Sequence, residues 1–274
     1  MDVVAVTINP KTARRMIPER GFFAVCVIVF ATSTAVTIWW SALMPAMDGM
    51  PMPGGWSMSM AWMRMPGQGW PGAAATFLGM WAAMMVAMML PSLVAMLQPY
   101  RQSIGMTDRS PLGRLTALVG GGYFLVWILF GIVVYALGVA LAAMEMSQPM
   151  LARAVPIAVG VVVLISGALQ LTAWKTRSLA CYRAASECGR RVPPDARSAW
   201  RHGMRLGLHC GHCCSNLTAI LLAIGVMDLH AMGLVAAAVT VERLEGVGER
   251  AARTTGVLII GSGSFLIARA VGLG

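Results

Sequence analysis

The sequence predicts an all-α membrane protein, a polytopic bundle of seven transmembrane helices, or of six if one short segment does not cross. Of its 274 residues 58% are hydrophobic and 12% are charged, and the mean hydropathy is +0.71. This composition excludes an ordinary soluble globular domain. Several apolar stretches reach the roughly 20 residues that a helix needs to cross a bilayer core of about 30 Å. The cations, finally, are concentrated in alternate connections between these stretches.

The predicted spans are seven apolar segments, at about 21–43, 73–97, 115–141, 154–174, 206–227, 229–244 and 254–272. The sixth is short, so a six-span arrangement in which it is re-entrant or interfacial is the alternative. The first is too long for a removable signal peptide and lacks a small-residue cleavage site. The chain then divides into a cytoplasmic tail (1–20), a first transmembrane helix (21–43), an extracytoplasmic loop rich in Met, Gly and Pro (44–72), and a helical membrane domain (73–272) with a cytoplasmic connection at 175–205.

The distribution of Lys and Arg predicts the orientation. Eighteen of the 21 cations lie in the amino-terminal tail and the even-numbered connections, and only Arg64, Arg153 and Arg269 lie on the other side. Cytoplasmic loops carry the excess of Lys and Arg. We therefore expect a multi-pass protein of the bacterial inner membrane with a cytoplasmic amino terminus and an outer carboxy terminus. Because the cations flank apolar segments, the net charge of +10 indicates contact with the lipid bilayer and not with nucleic acid.

Methionine and cysteine fall on opposite sides of this predicted topology. Of the 23 methionines, eight lie in the first outer loop and six in the second span, and four lie on the cytoplasmic side. The loop set is Met44, Met47, Met50, Met52, Met58, Met60, Met63 and Met65. All six cysteines lie in cytoplasmic connections or in the cytoplasmic turns of spans.

This partition suits the handling of a soft metal ion, and Cu(I) is the suspected cargo. A thioether forms no disulfide and can bind Cu(I) in an oxidising outer compartment, whereas a thiolate binds better but survives best in the reduced cytosol. Disulfide scaffolding is not expected, because no cysteine lies on the oxidising side. The alternative is that methionine is a flexible apolar filler.

The outer loop and the second span present these sulfurs differently. Proline and glycine prevent a regular helix in the loop, so we expect its sulfurs to lie on a pliable strand that can wrap an ion. Trp56 and Trp62 could stack over a bound cation or act as interfacial anchors. In the second span the spacing places methionines in two rows on one helical face, either an ion path or a packing seam. These rows contain Met80, Met84 and Met88, and Met85 and Met89.

The most specific motif is a cluster of cysteine and histidine, His209-Cys210-Gly-His212-Cys213-Cys214. On a helix its three cysteines share one face and its two histidines an adjacent face. Two thiolates at C-x-x-C spacing form a recurrent half-site for soft metals. Further ligands must come from elsewhere, with Cys181 as the first candidate and Gln170 and Cys26 as weaker ones. We also expect the cysteines to lie in the first turns of the fifth span, near the cytoplasmic face.

Three segments together resemble the bacterial family of predicted metal-binding integral membrane proteins, whose function is unassigned. They are Met84-Met85 with Ala87-Met88-Met89-Leu90-Pro91-Ser92, the segment from Gln170 to Cys181, and Cys210-Gly-His-Cys213-Cys214 with Gly225-Val-Met227. The resemblance covers roughly residues 75–272 and implies metal binding. Where such relatives commonly carry an aromatic residue after the paired cysteines, this chain has Ser215. The Met-rich outer loop favours copper as the metal.

The leading interpretation is a copper-handling membrane protein that captures Cu(I) outside with Met and binds or transfers it at Cys and His near the cytoplasmic face. It would act as a transporter or as an accessory subunit of a copper enzyme or another membrane assembly. The alternatives are a membrane thiol–disulfide oxidoreductase using Cys210 and Cys213 with Cys181, and a purely structural subunit. No carboxylate pair, nucleotide loop or Ser-His-Asp arrangement indicates an enzyme. Asp228 and Glu242 are expected to be cap or interface residues and not proton carriers.

Overall fold

The computed structural model describes residues 10–43, 50–64, 67–104, 112–188, 192–226, 228–243 and 248–272. These residues form eight helices and one small hairpin. The helices are α1 (Pro10–Leu43), α2 (Trp70–Ile104), α3 (Leu112–Ser147), α4 (Pro149–Gln170), α5 (Ala173–Cys188), α6 (Ala196–Ile224), α7 (Leu229–Glu242) and α8 (Gly248–Ala270). The predicted all-α polytopic bundle is confirmed.

Six helices in the described ranges are long and apolar enough to cross a membrane: α1, α2, α3, α4, α6 and α8. The sixth predicted span is instead α7, which has 14 residues. At 1.5 Å per residue it is about 21 Å long, short of a bilayer core of about 30 Å. Asp228 begins α7 as its N-cap and accepts a hydrogen bond from the amide of Ala231 at 2.9 Å, which confirms a capping role for this acid.

The helix α6 begins ten residues before the predicted span. Asp195 caps it by accepting a hydrogen bond from the Ser198 amide at 2.9 Å, and this bond lowers the pKa of the Asp195 carboxyl. Cys210 consequently lies about 21 Å along α6 and not in its first turns. The helix begins earlier than predicted, because it extends back through what was predicted as connection. The placement of the cysteines near the cytoplasmic membrane face stays a prediction. Most of that connection, 175–205, is helical, formed by α5 and the start of α6.

Glycines allow the closest helix pairs to approach. In the parallel pair α3 and α6, a Cβ added at Gly203 would lie 2.1 Å from the Val119 carbonyl oxygen, and one at Gly122 would lie 2.6 Å from that of Trp200. The antiparallel pair α4 and α8 meets in the same way, with Gly263 against the backbone of Leu164. Small residues at such crossings let backbones approach and pack in a lipid environment. The α3–α6 contact fixes the depth at which α6 presents its cysteines.

The Met-rich loop folds into a hairpin of β1 (Met50–Met52) and β2 (Trp56–Met58), followed by one 3-10 turn (Met60–Trp62). Gly54, with φ of 111°, occupies the turn after Pro53, where a positive φ is needed. Met52 and Met58 are buried against Ala142 and Ala152. The expected pliable strand is therefore wrong for the described part of the loop, because paired strands and a small apolar core order it. We call the end of the bundle that carries this hairpin the hairpin end.

Candidate metal site in the bundle core

The three clustered cysteines point into the bundle. Cys210, Cys213 and Cys214 are buried on α6, and none of them forms a disulfide. Their three- and four-residue spacing places them on one face of the helix, as predicted. Cys210 and Cys214 belong to the main core, whereas Cys213 packs against Leu179 and Ala252. The Cys214 thiol interacts with the thiols of both other cysteines.

Cys210 lies where two other helices and the end of α7 converge. Its sulfur accepts a hydrogen bond from the Tyr123 hydroxyl of α3 at 2.9 Å and lies 3.9 Å from the Met89 thioether of α2. Arg243, which follows α7, donates from Nη2 to the sulfurs of Cys210 and Cys214, both at 2.9 Å. The arrangement therefore brings two thiols to one guanidinium group, with a thioether beside the Cys210 thiol.

The Arg243 side chain is partly exposed, but its Nη1 is enclosed and has no hydrogen-bond partner among the described residues. Its guanidinium carbon lies 4.3 Å from the centre of the Tyr182 ring of α5, a distance at which a cation is attracted to an aromatic face. Burial raises the pKa of the Tyr182 phenol, although the Arg243 charge opposes that rise. Tyr182 is therefore neutral in the physiological range, and sulfur is the group beside this cation that can carry negative charge.

A second buried polar network lies next to the thiols. Lys175 of α5 pairs with Glu242 at 2.7 Å and donates to the Cys213 carbonyl oxygen at 3.0 Å. Gln170 donates to the other Glu242 carboxylate oxygen and accepts from Asn216 of α6 at 2.8 Å. Glu242 is 2% exposed and Lys175 is completely buried. Glu242 is therefore a buried ion-pair partner, and its prediction as a cap or interface residue is wrong.

The structure does not bring the other predicted cysteine and histidine ligands to this cluster. His209 and His212 lie on the exposed face of α6, and the His212 ring packs edge-on against Trp174. Cys181 is exposed on α5, because its neighbour Tyr182 occupies the buried face. Cys26 lines an apolar cavity of about 440 Å³ between α1, α2 and α3. Within the described ranges, no three His, Cys, Asp or Glu side chains are arranged to hold a metal ion.

All the methionines singled out on α2 are buried inside the bundle. They are Met80, Met84, Met85, Met88, Met89 and Met96. At the hairpin end, Phe77 and Trp81 form an aromatic stack with Trp62. The methionine rows begin next to this stack and reach the Cys210 thiol at Met89. Both sequence interpretations of these rows, packing seam and ion path, are compatible with this placement.

The outer-loop methionines divide into three groups. Met50 is exposed and Met63 is half-buried, whereas Met52 and Met58 are core residues of the hairpin. Met44, Met47 and Met65 lie outside the described residues, and of Met60 only the backbone is described. The indole of Trp56 donates to the Ala152 carbonyl oxygen at 2.8 Å and so anchors the hairpin to α4, whereas Trp62 packs on Phe77.

Sequence reasoning missed Arg243, Tyr123 and the Lys175–Glu242 pair. Lys175 and Arg243 were counted as determinants of topology, yet Lys175 is buried and Arg243 reaches the thiols. One signal was available: the segment that ends in Glu242-Arg243 is too short to cross a bilayer, so its charged end has to stop inside the bundle.

The fold and this cluster define a helical bundle with six helices that are long and apolar enough to cross a membrane and with sulfur-containing side chains gathered at its core. A family model described as PpoB2, copper chaperone, matches residues 78–266. The chain belongs to this family, and its role is in copper handling. The match includes the α2 methionines, the α6 cysteines and Arg243 and leaves out the hairpin. No curated protein and no solved structure matches the chain.

Proposed function

We propose that the protein binds Cu(I) inside the membrane at Cys210, Cys214 and Met89, as one step in moving copper across or within the bilayer. The convergence of these sulfurs, with Met89 3.9 Å from Cys210, carries the proposal. Two thiolates and a thioether form a soft ligand set, which favours Cu(I) over harder ions. Cys213 is adjacent to Cys214 and supplies a further thiol for transfer of the ion.

The buried methionines of α2 form the route between this site and the hairpin end. Thioethers bind Cu(I) weakly and have no proton to lose, so an ion can leave one for the next. The rows end at Cys210, whose thiolate holds the ion more tightly. Copper therefore moves from weak to strong ligands along α2. Met84 and Met88 belong to one row of this route, and Met85 lies in the adjacent row, which ends at Met89.

In this proposal the hairpin faces the outer compartment and the amino terminus lies in the cytoplasm, as the charge distribution favours. Met50, exposed on β1, is the described hairpin methionine best placed to meet copper from outside, together with the methionines on either side of the hairpin. Met52 and Met58 act instead as core residues of the hairpin. Membership in a copper-chaperone family supports delivery to a copper enzyme or another membrane subunit as the destination.

The test is metal binding by the purified protein in detergent, with Cu(I) supplied under anaerobic conditions. The Cys210→Ser/Cys214→Ser variant is expected to lose the tightly bound copper of the wild type. The matched control is Cys26→Ser/Cys181→Ser, which removes two thiols that lie outside the cluster and should leave copper binding unchanged. Equal copper in all three proteins would overturn the proposal.

The same variants separate the copper role from the thiol–disulfide alternative. Exchange with a dithiol substrate should not depend on Cys210 and Cys213 if their role is ligation. Loss of such exchange in a Cys210→Ser/Cys213→Ser variant, with copper binding intact, would favour the oxidoreductase.

A further inference from the structure

Arg243 lies beside the proposed metal ligands, although a guanidinium has no free electron pair with which to bind a metal ion. It follows the last residue of α7, and its Nη2 lies 2.9 Å from the sulfurs of both Cys210 and Cys214. Glu242, its sequence neighbour, is engaged by Lys175 and Gln170. In the described part of the chain, the side-chain hydrogen bonds of Arg243 therefore go to sulfur.

A guanidinium stays charged in proteins, and enclosing it is costly unless an anion compensates it. Among the described residues, Lys175 and Glu242 beside the cluster neutralise each other. The charge around the two sulfurs is therefore set by the thiolates, the bound ion and Arg243. Metal binding requires the thiolate form of each cysteine.

We propose that Arg243 is a specificity-determining residue that makes this site select a monovalent over a divalent metal ion. This inference rests on the proposed Cu(I) site. Two thiolates, one monovalent ion and the guanidinium sum to zero charge. With a divalent ion such as Zn(II) the same groups carry one excess positive charge inside the bundle. Because both thiols are buried away from water, that excess charge is expensive.

The inference predicts opposite effects on two metals. In Arg243→Gln the Cu(I) complex becomes a buried anion, whereas the Zn(II) complex becomes neutral. The ratio of Cu(I) to Zn(II) affinity should therefore fall, on the order of 100-fold for a unit charge at such short range. Arg243→Lys keeps the positive charge and should keep most of the wild-type ratio. A ratio lost equally in Arg243→Lys and Arg243→Gln would overturn the proposal, because it would show that the shape of the guanidinium and not its charge matters.

Two variants with changed numbers of thiolates test the charge balance independently if Arg243→Gln alone does not fold. Cys214→Met removes one thiolate but keeps a sulfur, so its Cu(I) complex with Arg243 carries an excess positive charge and should bind more weakly than wild type. Adding Arg243→Gln to Cys214→Met restores neutrality and should recover Cu(I) affinity. A further loss of affinity in the double variant would overturn the proposal.

The experiment uses full-length protein in detergent, with competition between a chromogenic Cu(I) chelator and the protein, and a parallel competition for Zn(II). If the Cys210→Ser/Cys214→Ser variant binds copper as tightly as the wild type, the proposed function itself is refuted. If tight copper binding depends on these cysteines but Arg243→Gln leaves the Cu(I) to Zn(II) affinity ratio unchanged, only the role of Arg243 is refuted.

Discussion

The buried pair of Lys175 and Glu242 gives the most direct test of how the core beside the thiols is held. Lys175→Met would remove a cation that lies 2.7 Å from Glu242 and donates to the Cys213 carbonyl oxygen at 3.0 Å. The carboxylate, 2% exposed, would retain the Gln170 amide. Breaking a buried ion pair by removing one partner costs about 3–5 kcal/mol, because it leaves the other charge uncompensated. We expect a loss of stability in that range.

Removing both charges should cost much less. The double variant Lys175→Met/Glu242→Gln leaves no buried charge, and replacing buried pairs by uncharged residues is often close to neutral. The matched control is Arg177→Met, an exposed cation on the same helix, which should change stability by less than about 0.5 kcal/mol. The measurement is reversible unfolding in mixed micelles, followed by circular dichroism. The reasoning is refuted if Lys175→Met behaves like Arg177→Met, or if the double variant is as unstable as the single one.

Three further predictions concern the helices that carry the site. Gly203→Ala should lower the free energy of unfolding by about 1–3 kcal/mol, because the new methyl group overpacks against the Val119 carbonyl. Gly211→Ala on the same helix meets open space and should not destabilise the protein. Equal thermal midpoints for the two variants would contradict the glycine contact. Met89→Leu removes the thioether and should weaken Cu(I) binding in the chelator competition. Because leucine roughly keeps the core volume, the thermal midpoint should stay within a few degrees. An unchanged Cu(I) affinity would show that the Met89 thioether is not a ligand. Asp195→Ala should lower the midpoint at pH 7. The pKa of the Asp195 carboxyl is lower in the folded than in the unfolded protein. Its stabilisation is therefore present above the unfolded pKa of about 4 and is lost as the pH falls through the lower folded pKa. The thermal midpoints of wild type and variant should converge in acid.

Much of the fold could be predicted from local pattern. Apolar stretches of sufficient length predicted the six membrane-capable helices, since a helix satisfies its own backbone hydrogen bonds and so can be recognised segment by segment. The three- and four-residue spacing of Cys210, Cys213 and Cys214 predicted one shared face, and all three are buried. Helix ends were less predictable. α6 begins at Ala196, in a stretch whose charged residues had indicated a connection.

The sequence by itself determined a helical protein with membrane-capable helices and with clustered sulfur-containing side chains on α2 and α6. The tertiary structure alone decided which of these side chains meet. Met89 and Cys210 are 121 residues apart, and Arg243 reaches Cys210 across 33 residues. Such contacts depend on how closely α3 and α6 approach at Gly203 and on where the short α7 stops. A local sequence pattern does not state which helices pair or at which register. For the same reason His209 and His212, adjacent to the cysteines in sequence, lie outside the cluster: a helix turns neighbouring residues toward different faces.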